Sequence, residues 1–202
     1  PETRAAVLAV DSAIGRLVGG LTALGAARRV NVVVVSDHGM AETSTERVVI
    51  LDDVIDRTTV DPVETGATIM INPLDGDTNR VLRALRAAPH LTVYRADSLP
   101  PGWRFTGNRR IPAVVGVPDE GWLLLARRSF ETMRAERTTG GTHGYLPDQP
   151  DMLAMCIVRG PAVKPGSKLG KIRSIDIAPT IAQILGIELP TAEGKPLAGV
   201  MP

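Results

Sequence analysis

Asp37 and His38 are the side chains of this sequence best placed to do chemistry. They stand next to each other at the end of an apolar run, NVVVVSDHGM over residues 31–40. A carboxylate oxygen and a neutral imidazole nitrogen are both good zinc ligands. Inside a strand, adjacent side chains point to opposite faces and cannot share a ligand. Past the strand's end, Gly39 allows a sharp turn that brings both together. A plainer reading stays open, in which Asp37 accepts loop amide hydrogens and His38 is packed or solvated. The second candidate is His143, in Gly140-Gly141-Thr142-His143-Gly144-Tyr145. Flexible backbone on both sides lets its ring reach a site presented by other segments. His90, the remaining histidine, follows Pro89 at the end of a predicted helix, where a cation offsets the dipole, and is read as structural.

The elements that must position these residues are legible in outline. Val7, Val10, Ile14, Leu17, Leu21 and Leu24 recur at spacings of three and four, one face of an amphipathic helix. Thr3 is its candidate cap and Gly25 its stop. Val30–Val35 then reads as a strand buried on both faces, the mark of a parallel sheet covered by helices. In such sheets ligands gather at the carboxyl ends of strands, which is where Asp37 and His38 fall.

Residues 41–65 read as a loop leading to a short strand at Val48–Leu51 and an acidic turn at Asp52-Asp53. Strands follow at Ala67–Ile71 and Leu91–Tyr94, with a helix over Thr78–Ala88 between them. A stretch rich in Pro and Gly contains two short apolar runs, Ala113–Val117 and Trp122–Ala126. Residues 60–130 are therefore expected to form a small α+β insertion over the main sheet. The α/β theme resumes with a strand in Met152–Val158 and a helix over Ile175–Leu185 that stops at Gly186.

The chain has 202 residues, 44% hydrophobic and 22% charged, which is a globular composition able to bury a core. Its net charge of +1 gives no general attraction to nucleic acid or anionic membrane, so phosphate chemistry must come from a local site. Cys156, the single cysteine, cannot form an internal disulfide. No apolar stretch approaches the roughly 18 residues of a membrane span, so neither a span nor a signal peptide is expected.

Taken in order, NVVVVSDHGM, GTHGY, MLAMCIVRGPAVKPG and IDIAPTIAQILGI resemble the C-terminal half of a nucleotide pyrophosphatase/phosphodiesterase. This is the type I phosphodiesterase branch of the alkaline phosphatase superfamily. The resemblance implies an α/β fold with a mostly parallel sheet sandwiched by helices, as part of one catalytic domain spanning 1–202. It also implies two zinc ions, with Asp37 and His38 binding one and His143 binding the other. Such enzymes hydrolyse nucleotide phosphodiester or pyrophosphate bonds to nucleoside 5′-monophosphates through a covalent phospho-enzyme.

The family's nucleophilic Thr and remaining zinc ligands have no matching position here. Thr3 and Thr22 lie in or beside a helix with no motif around them. The chain, which starts at Pro1, is thus expected to be a fragment, inactive alone, holding zinc weakly, and needing the N-terminal half of its domain as partner. Leu146 departs from the pattern, which usually has Asp or Asn after the tyrosine; Asp148 is nearby but shifted. Two other readings compete: a phospholipid-type phosphodiesterase of the same superfamily, and a noncatalytic binding or structural domain. An Ala/Arg-rich composition points to a bacterial source and, with the family's habits, to a periplasmic or secreted protein.

Overall fold

A computed structural model describes residues 2–200. In chain order the first elements are α1 (Glu2–Ala23), β1 (Val32–Val35), β2 (Ala41–Ser44), β3 (Val48–Ile50), α2 (Leu51–Val54), β4 (Val60–Glu64) and β5 (Ile69–Pro73). Next come α3 (Thr78–Arg86), β6 (Leu91–Arg95), β7 (Val114–Pro118) and β8 (Leu123–Leu125). The last are α4 (Arg127–Glu136), β9 (Thr139–Thr142), β10 (Cys156–Arg159) and α5 (Ile177–Leu185). They form two compact units: Ser36–Met155, and the segments before and after it.

In the flanking unit, α1 runs from Glu2, so Thr3 lies within the helix and does not cap it. Its end is as expected. Gly25 takes φ 65°, the Gly25 amide donates to Thr22 and the Ala26 amide to Leu21. That is a Schellman closure, which satisfies carbonyls left over at the helix end. None of the helix is buried, and Val7, Val10 and Leu17 are more than half exposed. By length and composition α1 is apolar enough to cross a membrane, contrary to the sequence expectation. Of its four charged residues, Glu2, Arg4, Asp11 and Arg16, only the last two fall within residues 5–22, too few to lower the average of that stretch. A helix from the interior of a soluble domain has the same average.

β1 pairs with β10 in antiparallel register, Val32 opposite Arg159 and Val35 opposite Cys156. The α/β class holds, but among the described residues only β3 and β8 pair in parallel. A β-branched run specifies two apolar faces and leaves strand direction open. Asp176, just before α5, receives a two-pronged contact from Arg173, Nε to Oδ2 at 3.0 Å and Nη2 to Oδ1 at 2.7 Å. The Lys195 amide also donates to Asp176 Oδ1 at 2.9 Å, and Thr180 Oγ1 accepts from the Leu197 amide. One carboxylate and one hydroxyl thereby tie the 195–197 segment to the start of α5.

The central unit contains most of the core. β4, β5, β7 and β6 form a four-stranded antiparallel sheet in that order, within the 60–130 stretch read as an insertion. Ile69, Ile71 and Val114 face α3, which contributes Val81, Leu82 and Leu85, all buried. Each such side chain contributes roughly 1.5–3 kcal/mol by leaving water. The helix starts where Asp77 accepts the Arg80 amide. Several elements escaped the sequence reading. Residues 41–65, expected to be mostly loop, hold β2 and β4, and Leu51 opens α2 instead of ending a strand. α4 and β9 had no predicted counterpart. The strand expected from Met152 starts only at Cys156, because residues 150–152 form a 3-10 turn.

The Arg173 guanidinium and the Lys195 amide hold the Asp176 carboxyl below its ordinary value near 3.8. A depressed carboxylate stabilises the fold above its unfolded-state value and loses that contribution as pH falls through the folded value. Asp176→Asn should therefore lower the thermal midpoint near neutrality, and the gap to wild type should close as pH falls from about 4 through the folded-state value. A gap that does not change over that range would show that Asp176 is not a folding carboxylate.

Candidate functional site

The three candidate residues lie within the central unit, and two of them touch. The His38 and His143 rings stack with centroids 3.6 Å apart and planes inclined by 14°, although they are 105 positions apart in sequence. Asp37 is beside them: its Oδ2 lies 3.5 Å from His38 Nε2. Its Oδ1 accepts the His38 amide at 3.1 Å. His90 is not at this site. It sits past α3 with φ 57°, stacks on Trp122 and bonds Asp119 through Nδ1 at 2.9 Å, which accounts for it structurally.

Backbone pairing explains the convergence. β2 begins three residues after His38, and β9 ends one residue before His143. They pair antiparallel with Ala41 opposite Thr142, so both histidines emerge at the same end of one two-stranded ribbon. The Asp-His turn is held from the other side by the 150–155 segment. Ser36 makes two hydrogen bonds to it: its amide donates to Met155 O, and its Oγ accepts the Met155 amide at 2.8 Å. The Gly39 amide donates to Met152 O at 3.1 Å.

Gly39 has a different reason from the one expected. It has no left-handed φ. A Cβ there would come 2.0 Å from Asp151 O and 2.8 Å from Asp151 C, so close backbone approach excludes any side chain. In the loop after β9, Gly144 does take a left-handed φ of 101°, and Thr68 Oγ1 donates to its carbonyl at 2.7 Å. Tyr145 is buried, and its hydroxyl donates to Trp122 O at 2.8 Å. Burial pushes that phenol up to about 12, so it stays a neutral donor across the physiological range.

Hydrogen bonding fixes which His38 nitrogen is free. Nδ1 lies 2.7 Å from Gly39 O, and a carbonyl only accepts, so Nδ1 carries a proton and, in the neutral ring, Nε2 the lone pair. This is the usual way a metal-binding imidazole is oriented by an outer partner. Ligand atoms about 2.0–2.1 Å from a tetrahedral zinc are about 3.3–3.4 Å apart. The 3.5 Å between Asp37 Oδ2 and His38 Nε2 fits one edge of such a site. His143 cannot join the same ion easily, because lone pairs in near-parallel ring planes do not converge. Rings stacked 3.6 Å apart suit two ions with the roughly 3.5–4 Å spacing of two-metal centres. Among the described residues no group of three or more His, Cys, Asp or Glu side chains is arranged around one ion.

Comparison with known proteins follows the same lines. A bis(5′-adenosyl)-triphosphatase of Xenopus laevis is 33% identical over 179 residues, 88% of this chain and 38% of that protein. The human ectonucleotide pyrophosphatase/phosphodiesterase family member 5 is 30% identical over 179 residues, 88% of this chain and 36% of its own length. The solved structure of human ectonucleotide pyrophosphatase/phosphodiesterase 5 superimposes with a TM-score of 0.88 at 28% identity, over 96% of this chain and 51% of that one. The murine counterpart, solved as an inactive variant in complex with AMP, gives 0.84 at 29% identity, over 92% of this chain and 48% of that one. The chain thus spans about half of the solved relatives and less than two-fifths of these two curated ones. The family model for type I phosphodiesterase / nucleotide pyrophosphatase matches residues 1–146, and the chain belongs to that family.

The sequence reading missed Ser36, Thr68 and Tyr145 as supports of the turn and loop. Ser36 and Tyr145 stand inside the quoted motifs, so their positions carried a signal; Thr68 carried none. Two variants test this support. Gly39→Ala should destabilise by about 1–3 kcal/mol, because the 150–152 backbone must move. Tyr145→Phe leaves the partly buried Trp122 carbonyl without its donor and should cost about 1–1.5 kcal/mol in denaturant melts. Wild-type stability of Gly39→Ala would refute the close approach.

Proposed function

We propose that the protein to which this chain belongs is a zinc-dependent hydrolase of nucleotide phosphodiester and pyrophosphate bonds, releasing a nucleoside 5′-monophosphate. The convergence of Asp37, His38 and His143 at the end of the β2–β9 ribbon carries this reading. Membership of the type I phosphodiesterase family and the AMP complex of the murine relative support it.

In this reading Asp37 Oδ2 and His38 Nε2 would hold one zinc, and His143 would hold a second. When bound, two zincs would supply charge stabilisation at the attacking and leaving oxygens of a phosphoryl centre. The chain's own part is positional. Gly39 O holds the His38 proton on Nδ1, the exposed Asp37 carboxylate faces the incoming ion, and Thr68 fixes the loop that carries His143. The nucleophile and the remaining ligands come from chain outside these 202 residues.

Residues 1–202 form part of one catalytic domain, with 60–130 as an inserted α+β subdomain. The separate four-stranded sheet with α3 on one face supports this. α1 is a helix of that domain and not a membrane span, a reading supported by a family match that already includes it. An extracytoplasmic location, periplasmic in a bacterial source, is supported by the ectonucleotide names of the relatives and by the Ala/Arg-rich composition.

Two measurements test the proposal. The isolated 202-residue chain should not turn over p-nitrophenyl thymidine monophosphate, because no threonine of the chain stands in a nucleophile motif. Zinc-dependent turnover abolished by His38→Ala would contradict that assignment. Zinc should also bind weakly, since Asp37 and His38 give two ligands where firm sites use three or four. With free zinc at or below its dissociation constant, the stability gain is below about 0.5 kcal/mol. A large chelator-sensitive rise in the thermal midpoint of this chain would mean that the ligand set is already complete within it.

A further inference from the structure

The four-stranded sheet ends on two edge strands, β4 and β6. β4 is guarded: Pro62 cannot donate a ladder bond, and the register with β5 breaks between Pro62 and Glu64. β6, Leu91-Thr92-Val93-Tyr94-Arg95, has neither a proline nor a register break. The ladder fixes which of its backbone groups face outward. The Asp119 amide donates to His90 O and the Ala96 amide to Ala113 O, both at 3.0 Å. Bonded pairs alternate along an antiparallel ladder, so Thr92 and Tyr94 also bond β7. Leu91 (opposite Pro118), Val93 and Arg95 therefore point their amides and carbonyls away from the sheet. Ser98 Oγ donates to the Arg95 carbonyl at 3.3 Å, and among the described residues no strand pairs with this row.

Charge along the row selects a partner. α3 reaches over β6, where Arg95 Nη1 donates to Asn79 Oδ1 at 3.1 Å. Arg83 and Arg86 follow Asn79 at four and seven residues, on the same side of the helix. Both are exposed and have no acidic partner among the described residues. The acids at the two ends of the row are engaged, Asp97 with Arg95 at 3.4 Å and Asp119 with His90 at 2.9 Å. A second copy paired edge to edge would bring two such arginine rows together, and like charges oppose that.

We infer that the outer edge of β6 is a docking site for an extended acidic segment of another polypeptide, which adds to the sheet as a further strand. Its main chain bonds Leu91, Val93 and Arg95, and its carboxylates meet Arg83 and Arg86. In such additions backbone bonds supply affinity, and the flanking side chains supply the choice of partner. The site shares no residue with the Asp37, His38 and His143 cluster.

The test titrates the isotope-labelled 202-residue chain with a blocked hexapeptide alternating glutamate and valine, and follows amide hydrogen exchange by NMR. Exchange at Leu91, Val93 and Arg95 should slow saturably by about tenfold, and at Thr92 and Tyr94, already bonded to β7, by less. Arg95 has φ −77° and ψ 150°, so proline fits there and costs no bond to β7. Arg95→Pro should bind the peptide about tenfold more weakly than Arg95→Ala, which keeps the amide. Arg83→Glu together with Arg86→Glu should weaken it by a similar factor and favour a lysine–valine hexapeptide instead. If Arg95→Pro does not fold, the wild-type exchange pattern and the charge-reversed variant decide. Three results would overturn the inference. They are no saturable effect up to about 5 mM peptide, equal binding of the lysine peptide by the wild-type chain, and peptide-independent protection of the three amides that grows with chain concentration. The last would make a second copy the occupant.

Discussion

The candidate site depends on one short backbone ribbon. β2 and β9 are four residues each, and their antiparallel register alone brings His38 and His143 together across 105 positions. A register slip of one residue would reverse which side chains face inward, moving buried Ala41 and Thr43 outward. The ribbon has little intrinsic strand preference, since Gly140 and Gly141 both lie in β9. Close packing compensates: a Cβ at Gly141 would meet Met40 at 3.0 Å, and one at Gly140 would meet Arg137 at 3.3 Å. Small residues let the two strands and their neighbours approach, and that approach fixes the register.

How much of this was legible in the sequence follows from the same physics. Long periodic signals read well. α1 ends in its glycine closure, α3 has the predicted apolar face, and α5 stops at Gly186 with φ 67°. Short strands in polar or glycine-rich sequence did not read at all. Ala41-Glu42-Thr43-Ser44 and Thr139-Gly140-Gly141-Thr142 hold no Val, Ile or aromatic residue, and their threonines are too few beside polar and glycine neighbours to mark a strand. Each is stable only because the other is there. The site residues themselves were legible as types and spacing, but the contact between their rings was not, because it is created by a pairing that neither segment announces.

The flanking unit shows a complementary feature. Its β1 is only partly buried, with Val35 49% exposed, although four consecutive valines suit two covered faces. α1 likewise leaves Val7, Val10 and Leu17 open. A large apolar surface of this kind on a helix and a strand is what elements of a bigger layered domain show when viewed alone. The solved relatives, about half covered by this chain, agree with that view.

The central claim is that Asp37 and His38 hold one ion and His143 another. The most direct measurement is anomalous scattering at the zinc edge from crystals of the chain soaked in zinc. The account predicts a peak about 2.0–2.1 Å from both Asp37 Oδ2 and His38 Nε2. Any second peak should lie on a nitrogen of His143, roughly 3.5–4 Å from the first. Zinc bound through His38 Nδ1, a single ion shared by both rings, or zinc only at other residues would contradict it.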